Sequence, residues 1–381
     1  MKKSIAYYIA FIALGLVTAA LGPTLPELAT RTGTDLSGIS LLFTTGSLGY
    51  LLGSLLGGRL YDRMRGHPVM AAALIAQLLL LALIPGVPWL LLLAFVWFLV
   101  GAAQGTLDVG GNTLIMWVHG HAVGPYMNGL HFFFGVGATL SPLVIARAAE
   151  LGGDIAWSFW VLAMLMLPAA LLLLAQGSPA SRTNGEPGDV LKPNAPLLVV
   201  LFVAFFFFYV SAESSFGGWI FTYATAMQLG DRANAAYLTS AFWGALTVGR
   251  LVAIPLAVKF RPRTILLVDL LGCLVGVATV LLWPRSIAAI WAGTLLTGFS
   301  MASVFPTTMS LAERRLTITG QITSFFFAGA SLGGMVLPWM IGQLFERTGP
   351  QVTMIGILSV LVIELVLWGM LIGGAWKPNR Q

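Results

Sequence analysis

Charged residues are scarce in this sequence. Only 9% of its 381 residues are Asp, Glu, Lys or Arg, and 58% are hydrophobic, whereas about a quarter of the residues in a soluble domain are charged. This composition excludes a water-soluble globular fold and indicates a protein that crosses a membrane many times. The formal net charge of +6 does not indicate nucleic-acid binding, because the basic residues lie in short segments between long apolar runs.

Cysteine and catalytic motifs are nearly absent as well. Cys273, the single cysteine, lies in an apolar run, which excludes an intrachain disulfide and a thiolate metal cluster. His119 and His121 form an HxH pair with no third ligand nearby, so we expect no metal site. The chain also has no Walker loop and no HExxH motif, which carry ATP hydrolysis and zinc-dependent proteolysis. We therefore expect neither an enzyme nor a cofactor, and an ion gradient must supply the energy.

The apolar runs predict an all-α membrane protein with twelve transmembrane helices, since each run is long enough to cross a bilayer with about 20 residues. The first run follows Lys2 and Lys3 and superficially resembles a signal peptide, but we interpret it as the first span, because its removal would leave an odd number. The predicted spans are 5–25, 36–57, 68–86, 89–118, 125–146, 155–175, 197–226, 234–258, 263–283, 286–311, 319–344 and 351–375.

The two halves of the chain resemble each other. Gly58-Arg59-Leu60 recurs as Gly249-Arg250-Leu251, and the Phe triplet at 132–134 recurs at 325–327, at offsets of 191 and 193 residues. The longest polar stretch, 177–196, lies between the halves and is typical of a flexible linker. We therefore predict two pseudo-symmetric six-helix bundles, residues 1–176 and 197–381, joined by this linker.

The positions of Lys and Arg predict the orientation in the membrane, because cytoplasmic loops carry an excess of both. Fifteen of the 20 basic residues fall on the side of the chain termini. We therefore expect a multi-pass protein of the cell (cytoplasmic) membrane with both termini in the cytoplasm. The five basic residues on the other side are Arg31, Arg147, Arg232, Arg285 and Arg347.

Polar residues follow one face of the fourth predicted span. Gln104, Asp108 and Asn112 are spaced four residues apart, so they share a helix face, and nearby glycines leave room for another helix or a ligand. An intramembrane carboxylate costs a few kcal/mol and is by default a candidate for function. The alternative is an acid that is paired with a neighbouring helix and has no further role.

Several motifs resemble those of the major facilitator superfamily. The segment GRLYDRMRGH at 58–67 is similar to the superfamily's cytoplasmic loop motif between spans 2 and 3, although its second glycine, Gly66, comes one position late. Further stretches resemble the fucose:proton symporter family, particularly its branch of sodium-dependent glucose transporter-like proteins. These stretches are LDVGGN at 107–112, LHFFFGVG at 130–137, YVSAE at 209–213, GGWI at 217–220, GR at 249–250 with RPR at 261–263, and FPT at 305–307.

The resemblance implies the major facilitator fold and secondary active transport of a monosaccharide or a similar small polar solute, coupled to Na⁺ or H⁺. The hydroxyl groups of a sugar require carboxylates, amides and imidazoles, with an aromatic face against the ring. The chain supplies these groups at the predicted substrate-binding residues Asp108, Asn112, Asn128, His131, Glu213 and Trp219. Asp108 and Glu213, one in each half, are also the predicted ion-coupling pair.

A charge network at the cytoplasmic ends of the spans is predicted to act as a gate. Its residues are Gly58, Asp62, Arg63 and Arg250. The fucose symporters carry a second acid in span 1, whereas 18–23, TAALGP, contains none. A proton route like theirs is therefore not expected here, and Na⁺ and H⁺ both stay open.

Other interpretations remain open at this point. His131 is alternatively a satisfied interior group, Trp219 a packing or interface residue, Glu213 a static partner of an interior group, and the gate residues a consequence of membrane topology alone. The protein is alternatively an exporter of lipophilic compounds or lipids, or a membrane sensor that has kept the fold but lost transport. We expect a monomer surrounded by membrane lipid, with a small molecule as its partner and no nucleic acid.

Overall fold

The computed structural model describes residues 2–120, 123–179, 196–316 and 320–372, and these ranges are helical throughout with no strand. They contain twelve spans, provided that the two helices of span 1, Lys2–Thr18 and Leu21–Arg31, count as one span with a bend of 46°. This confirms the predicted fold class. Spans 2 to 12 are Leu36–Arg63, Gly66–Gly86, Leu90–His119, Gly124–Gly152, Ile155–Leu174, Pro196–Ala226, Arg232–Lys259, Pro262–Leu282, Ile287–Glu313, Gly320–Thr348 and Val352–Ile372.

Besides the bend in span 1, spans 2 and 10 are interrupted and span 3 changes its helix type at its end. Span 2 consists of Leu36–Ile39 and Leu41–Arg63, span 3 ends in a 3₁₀ turn at Ile84–Gly86, and span 10 consists of Ile287–Met301 and Val304–Glu313. Most of the predicted linker, 180–195, and the chain beyond residue 372 lie outside the described residues, so the domain limits stay a prediction. Span 6 ends and span 7 begins on the same side of the helix bundle, which we call the linker face; the other side is the opposite face.

Spans 2 and 4 pack backbone to backbone through glycines. Gly49 and Gly53 of span 2 face the main chain of span 4 at Phe98 and Ala102, and Gly101 and Gly105 of span 4 face the main chain of span 2. Small residues allow such an approach between helices in lipid, where packing rather than the hydrophobic effect drives association. This contact places Asp108 next to span 2.

We expect Gly53→Val to destabilise the amino-terminal half by about 3 kcal/mol or more, because an added Cβ would overlap the main chain of Ala102, which cannot move aside as a side chain could. The measurement is the thermal unfolding midpoint in detergent and the yield of monodisperse protein. Gly58→Val, on the same span, is the matched control, since a Cβ at Gly58 meets nothing within 4 Å. Equal midpoints for the two variants would contradict this packing.

The two halves are joined at the opposite face. Ser37 of span 2 and Gln343 of span 11 exchange two hydrogen bonds, of 2.8 and 2.9 Å. The Leu36 N–H donates to Glu346 at 3.0 Å, and Glu27 of span 1 lies 3.5 Å from the Arg232 guanidinium of span 8. Glu27, in the last turns of span 1 before Arg31, therefore takes part in the closure of this face.

Towards the linker face the same spans separate. Leu55 of span 2 lies three turns beyond Thr44, which donates to span 11, and Val258 of span 8 lies three turns beyond Thr247, which packs on span 5. Both residues therefore point towards the other half, yet both are more than half exposed. The space between the halves reaches about 10 Å along span 5, because the His131 ring, seven residues after Gly124, is exposed although it lies beside Phe11 of span 1. The structure is therefore open at the linker face and closed at the opposite face.

Candidate functional site

Asp108 lies at the centre of a hydrogen-bonded group in the amino-terminal half. The Tyr50 hydroxyl of span 2 donates to one carboxylate oxygen of Asp108. The Asn112 amide donates to the other at 3.0 Å and to the Asp108 carbonyl at 2.9 Å. Both carboxylate oxygens thus have a donor. This arrangement stabilises an acid in a medium where an unpaired one costs several kcal/mol.

Gln104, one turn before Asp108, reaches span 1. Its side-chain amide donates to the Thr18 hydroxyl at 3.1 Å, and Thr18 is the last residue of the first helix of span 1. Pro23 lies just after the bend and lacks a backbone N–H, which weakens the helix at this point. The broken span therefore presents polar groups near mid-membrane, as the discontinuous helices of transporters do.

Glu213 lies in the carboxy-terminal half, close to a hydroxyl group and a guanidinium group of the same half. The carboxyl is next to the Tyr209 hydroxyl and within electrostatic range of the Arg250 guanidinium of span 8. Tyr209 also donates to the Met301 carbonyl at 3.0 Å, where span 10 is broken. Spans 7, 8 and 10 thus meet around Glu213.

Arg250 does not lie at the end of its span, contrary to the position predicted for it, and its gating role stays a prediction. It lies nine residues before Lys259, where span 8 ends, which is about 13 Å along a helix. The guanidinium lies within electrostatic range of both Glu213 in its own half and His131 in the other. The predicted span 234–258 already extends eight residues beyond Arg250, so the helix bounds agree with its depth, whereas the loop motif alone suggested a position at the end.

The structure does not bring the two predicted ion-coupling acids into contact. Among the described residues, Asp108 has its partners on spans 2 and 4, whereas Glu213 is beside Tyr209 and Arg250. Asn128 and His131 are both exposed on span 5, three residues apart on one helix face. Asp108, Asn128 and His131 therefore belong to one half, and Glu213 and Arg250 to the other.

Trp219 is fully buried near the opposite face. Its ring stacks on Phe43 of span 2 at 5.8 Å between centroids and on Phe345 of span 11 at 5.3 Å, and its N–H donates to the Pro338 carbonyl at 3.0 Å. No part of the side chain is exposed. In this conformation Trp219 contributes to the closure between the halves, and its predicted stacking on a sugar ring stays a prediction for other conformations.

We expect Trp219→Ala to weaken this closure, because removing a buried tryptophan costs about 3–5 kcal/mol of packing. Thr222, one turn after Gly218 on span 7 and buried, is a suitable reporter when Thr222→Cys is introduced together with Cys273→Ala. Labelling by a membrane-impermeant maleimide from the opposite face should rise about tenfold with Trp219→Ala. Trp283→Ala, at an exposed tryptophan near the same face, is the control. Equal labelling in both variants would mean that Trp219 does not hold the halves together.

The other predicted gate residues lie at the linker face. Asp62 and Arg63 are exposed at the end of span 2, and a side chain at Gly58 would meet open space. His67, the last residue of this loop motif, is buried, and sequence analysis did not assign it to a site. Its imidazole is 2.8 Å from the Tyr7 hydroxyl and 2.9 Å from the Gln176 carbonyl, and the backbone N–H of His67 donates to the Ser178 hydroxyl at 3.0 Å. His67 thus ties the start of the linker to spans 1 and 3.

Two further intramembrane acids were missed, both in the carboxy-terminal half. Asp269 of span 9 accepts a hydrogen bond from Ser303, in the break of span 10. Glu364 of span 12 is fully buried, and neither of its carboxyl oxygens has a hydrogen-bond partner among the residues that the structure describes. The reasoning applied to Asp108, a carboxylate inside a long apolar run, would have found both.

His119 of the HxH pair makes protein contacts. One ring nitrogen is 2.8 Å from the Ser4 hydroxyl, and the ring stacks on Tyr126 with centroids 3.4 Å apart. His121 lies outside the described residues. Within the ranges that the structure describes, no three His, Cys, Asp or Glu side chains are grouped as metal ligands would be.

Solved structures share this fold. The nucleoside transporter NupG superposes with a TM-score of 0.76 at 12% identity and covers 98% of this chain and 99% of its own. The D-xylose-proton symporter superposes with a TM-score of 0.74 at 15% identity and covers 96% and 97%. At these identities the likeness extends to the fold alone.

Sequence relatives are closer. The sodium-dependent glucose transporter 1A of Mus musculus is 32% identical over 377 residues, which cover 88% of each chain. The sodium-dependent glucose transporter 1 of Homo sapiens is 32% identical over 372 residues, covering 88% of this chain and 72% of the relative. Both are named as transporters, which supports the expectation that this chain is not an enzyme. The family model described as Major Facilitator Superfamily matches residues 7–338, so the resemblance found in the loop motif is confirmed, and the chain belongs to the major facilitator superfamily.

Proposed function

We propose that the protein is a secondary active transporter that moves a monosaccharide, of which a glucose-like hexose is the first candidate, by alternating access. The observation that supports the proposal most is that two sets of polar side chains, one in each half, lie on the two sides of the space that is open to the linker face. Asp108, with Tyr50 and Asn112, lies in one half. Glu213 and Arg250 lie in the other, with His131 across from Arg250.

These groups suit a neutral polyol. Carboxylates and the Asn128 carbonyl accept hydrogen bonds from sugar hydroxyls, and Arg250, His131 and the Asn128 amide donate to them. A ligand that contacts both halves favours conformations in which they are close together, which is how binding energy can drive the exchange between open states. The glucose transporters named above, at 32% identity, support a hexose as the substrate.

The linker face is proposed to be cytoplasmic. Arg59, Arg63 and Arg65 follow one another at the end of span 2, and Lys259, Arg261 and Arg263 occupy the corresponding turn between spans 8 and 9. Such an excess of basic residues marks the cytoplasmic side. The structure then represents the conformation that is open to the cytoplasm, with the opposite face closed to the exterior.

The test is uptake of radiolabelled glucose and other hexoses into proteoliposomes under an imposed Na⁺ gradient and, separately, a pH gradient. Na⁺ is the first candidate for the coupling ion, given the sodium-dependent relatives and the absence of an acid at 18–23 of span 1. Accumulation above the outside concentration with Na⁺ alone supports the proposal in full. If neither gradient drives any hexose, the proposed substrate class is wrong.

A further inference from the structure

An apolar groove runs along the outer surface of the protein where the two halves meet. It is bounded by spans 5, 8 and 10, has a volume of about 700 Å³ and is lined almost entirely by apolar atoms; ligand sites occupy about 300–1,000 Å³. Its walls include Thr139 and Leu143 of span 5, Gly244 and Val248 of span 8, and Phe299 of span 10. The groove therefore belongs to both halves at once.

The groove faces lipid and not the space between the halves. On span 8 the residues that face inwards are Trp243, Thr247 and Arg250, since Thr247 is next to Gly135 and Arg250 is next to Glu213. Gly244 and Val248 lie about 100° round the same helix from Trp243 and Thr247, and Val248 is more than half exposed. This surface therefore contacts the acyl chains of the bilayer.

The length of the groove matches one leaflet of the membrane. Along span 8 it extends from Tyr237 to Val248, which is about 16 Å of helix, and half of a hydrocarbon core is about 15 Å. Tyr237 lies five residues after the start of span 8 at Arg232, or about 8 Å from the opposite face. The groove therefore begins at the headgroup level of the opposite-face leaflet and ends near mid-membrane.

Apart from Thr139, whose hydroxyl donates to the Gly135 carbonyl at 2.8 Å, the polar groups of the groove lie at its shallow end. Arg147 is one turn beyond Leu143 on span 5 and five residues before the end of that span at Gly152, the same depth as Tyr237. Its ion pair with Glu150 is 64% and 70% exposed, and such surface pairs are weak. Ser240, slightly deeper, is buried, and within the described part of the chain its hydroxyl has no hydrogen-bond partner.

We propose that the groove is a binding site for one glycerophospholipid of the opposite-face leaflet. Its phosphate lies between the Arg147 guanidinium and the Tyr237 hydroxyl, an ester carbonyl accepts from Ser240, and one acyl chain occupies the groove as far as Val248. Guanidinium and phosphate form strong charge-assisted hydrogen bonds. Because spans 5 and 8 belong to different halves, the lipid binds best while they are packed as here and so favours the conformation closed at the opposite face.

Native mass spectrometry of the detergent-purified protein with added phosphatidylglycerol tests the site without any transport assay. We expect wild type to retain one lipid, and Gly244→Leu and Arg147→Gln each to reduce retention about tenfold. The Leu side chain fills the groove without disturbing the fold, since a Cβ at Gly244 makes an ordinary contact of 3.4 Å with Thr139. Gly369→Leu, at a glycine with open space around it on span 12, and Arg285→Gln, between spans 9 and 10, are the matched controls.

Diacylglycerol, which lacks the phosphate, should be retained by wild type about tenfold less than phosphatidylglycerol. Retention of phosphatidylglycerol by Gly244→Leu and Arg147→Gln at the level of their controls overturns the proposal, as does equal retention of the two lipids by wild type. A dimer in place of the lipid-bound monomer also overturns it, because a second copy then covers the groove. If Gly244→Leu does not fold, Arg147→Gln combined with Tyr237→Phe provides the same test.

Discussion

Asp108→Asn is expected to abolish ion-driven accumulation of the substrate while leaving the protein folded. The amide keeps the shape of the side chain, and its oxygen still accepts the hydrogen bond that Asn112 donates at 3.0 Å. The Tyr50 hydroxyl can turn and accept from the new amide group. The substitution therefore removes a charge and a titratable group but no packing, and an ion that binds at this carboxylate loses its site.

The measurement is the ratio of internal to external labelled hexose in proteoliposomes under the gradient that drives wild type. For Asp108→Asn the ratio should fall to that of protein-free vesicles, and substrate exchange without a gradient should persist if the amide still holds the sugar. Tyr50→Phe is the matched control, because it removes one donor and keeps the carboxyl. It should weaken coupling by about tenfold to a hundredfold, the range for one hydrogen bond to a charged group, without abolishing it. Full concentrative uptake by Asp108→Asn would remove Asp108 from the coupling mechanism.

The sequence predicted which face of span 4 is polar, because that follows from helix periodicity alone. It did not predict that Tyr50 binds Asp108. Tyr50 precedes Asp108 by 58 residues, and their contact depends on glycines of two helices meeting in register. Periodicity shows which residues share a helix face, but not which helix that face meets.

The predicted roles of Trp219 and Arg250 illustrate the same limit in different ways. Trp219 was singled out for its aromatic ring, but its surroundings are Phe43 and Phe345 from distant parts of the chain. Arg250 was predicted at the cytoplasmic end of span 8 because it belongs to a loop motif, although the predicted span 234–258 extends eight residues beyond it. A membrane interior tolerates an arginine when an acid lies beside it, and Glu213 is on a different span. Pairing between spans, rather than any local pattern, determines the position of both residues.

Arg250→Gln should lower the stability of the protein and abolish accumulation of the substrate. Adding Glu213→Gln to Arg250→Gln should restore the stability but not the accumulation. Removing Arg250 alone leaves the Glu213 carboxylate without its cationic neighbour. A Glu213 carboxylate without its cation destabilises the protein by about 1–3 kcal/mol. This cost is smaller than for a fully buried pair, because both side chains are only partly buried and the space between the halves is open at the linker face. The double variant removes both charges, so neither side chain is left unpaired.

Thermal unfolding midpoints in detergent distinguish an electrostatic pair from two independent residues. We expect the midpoint of Arg250→Gln to lie below those of wild type and of the double variant, and Glu213→Gln alone to abolish gradient-driven accumulation. Lys259→Gln, an exposed cation at the end of the same span, controls for the loss of a positive charge in general. If the single-variant losses of stability simply add in the double variant, Arg250 and Glu213 are not paired. Arg250 would then act through His131, its neighbour in the other half, and substrate binding would have to be sought on the side of span 5.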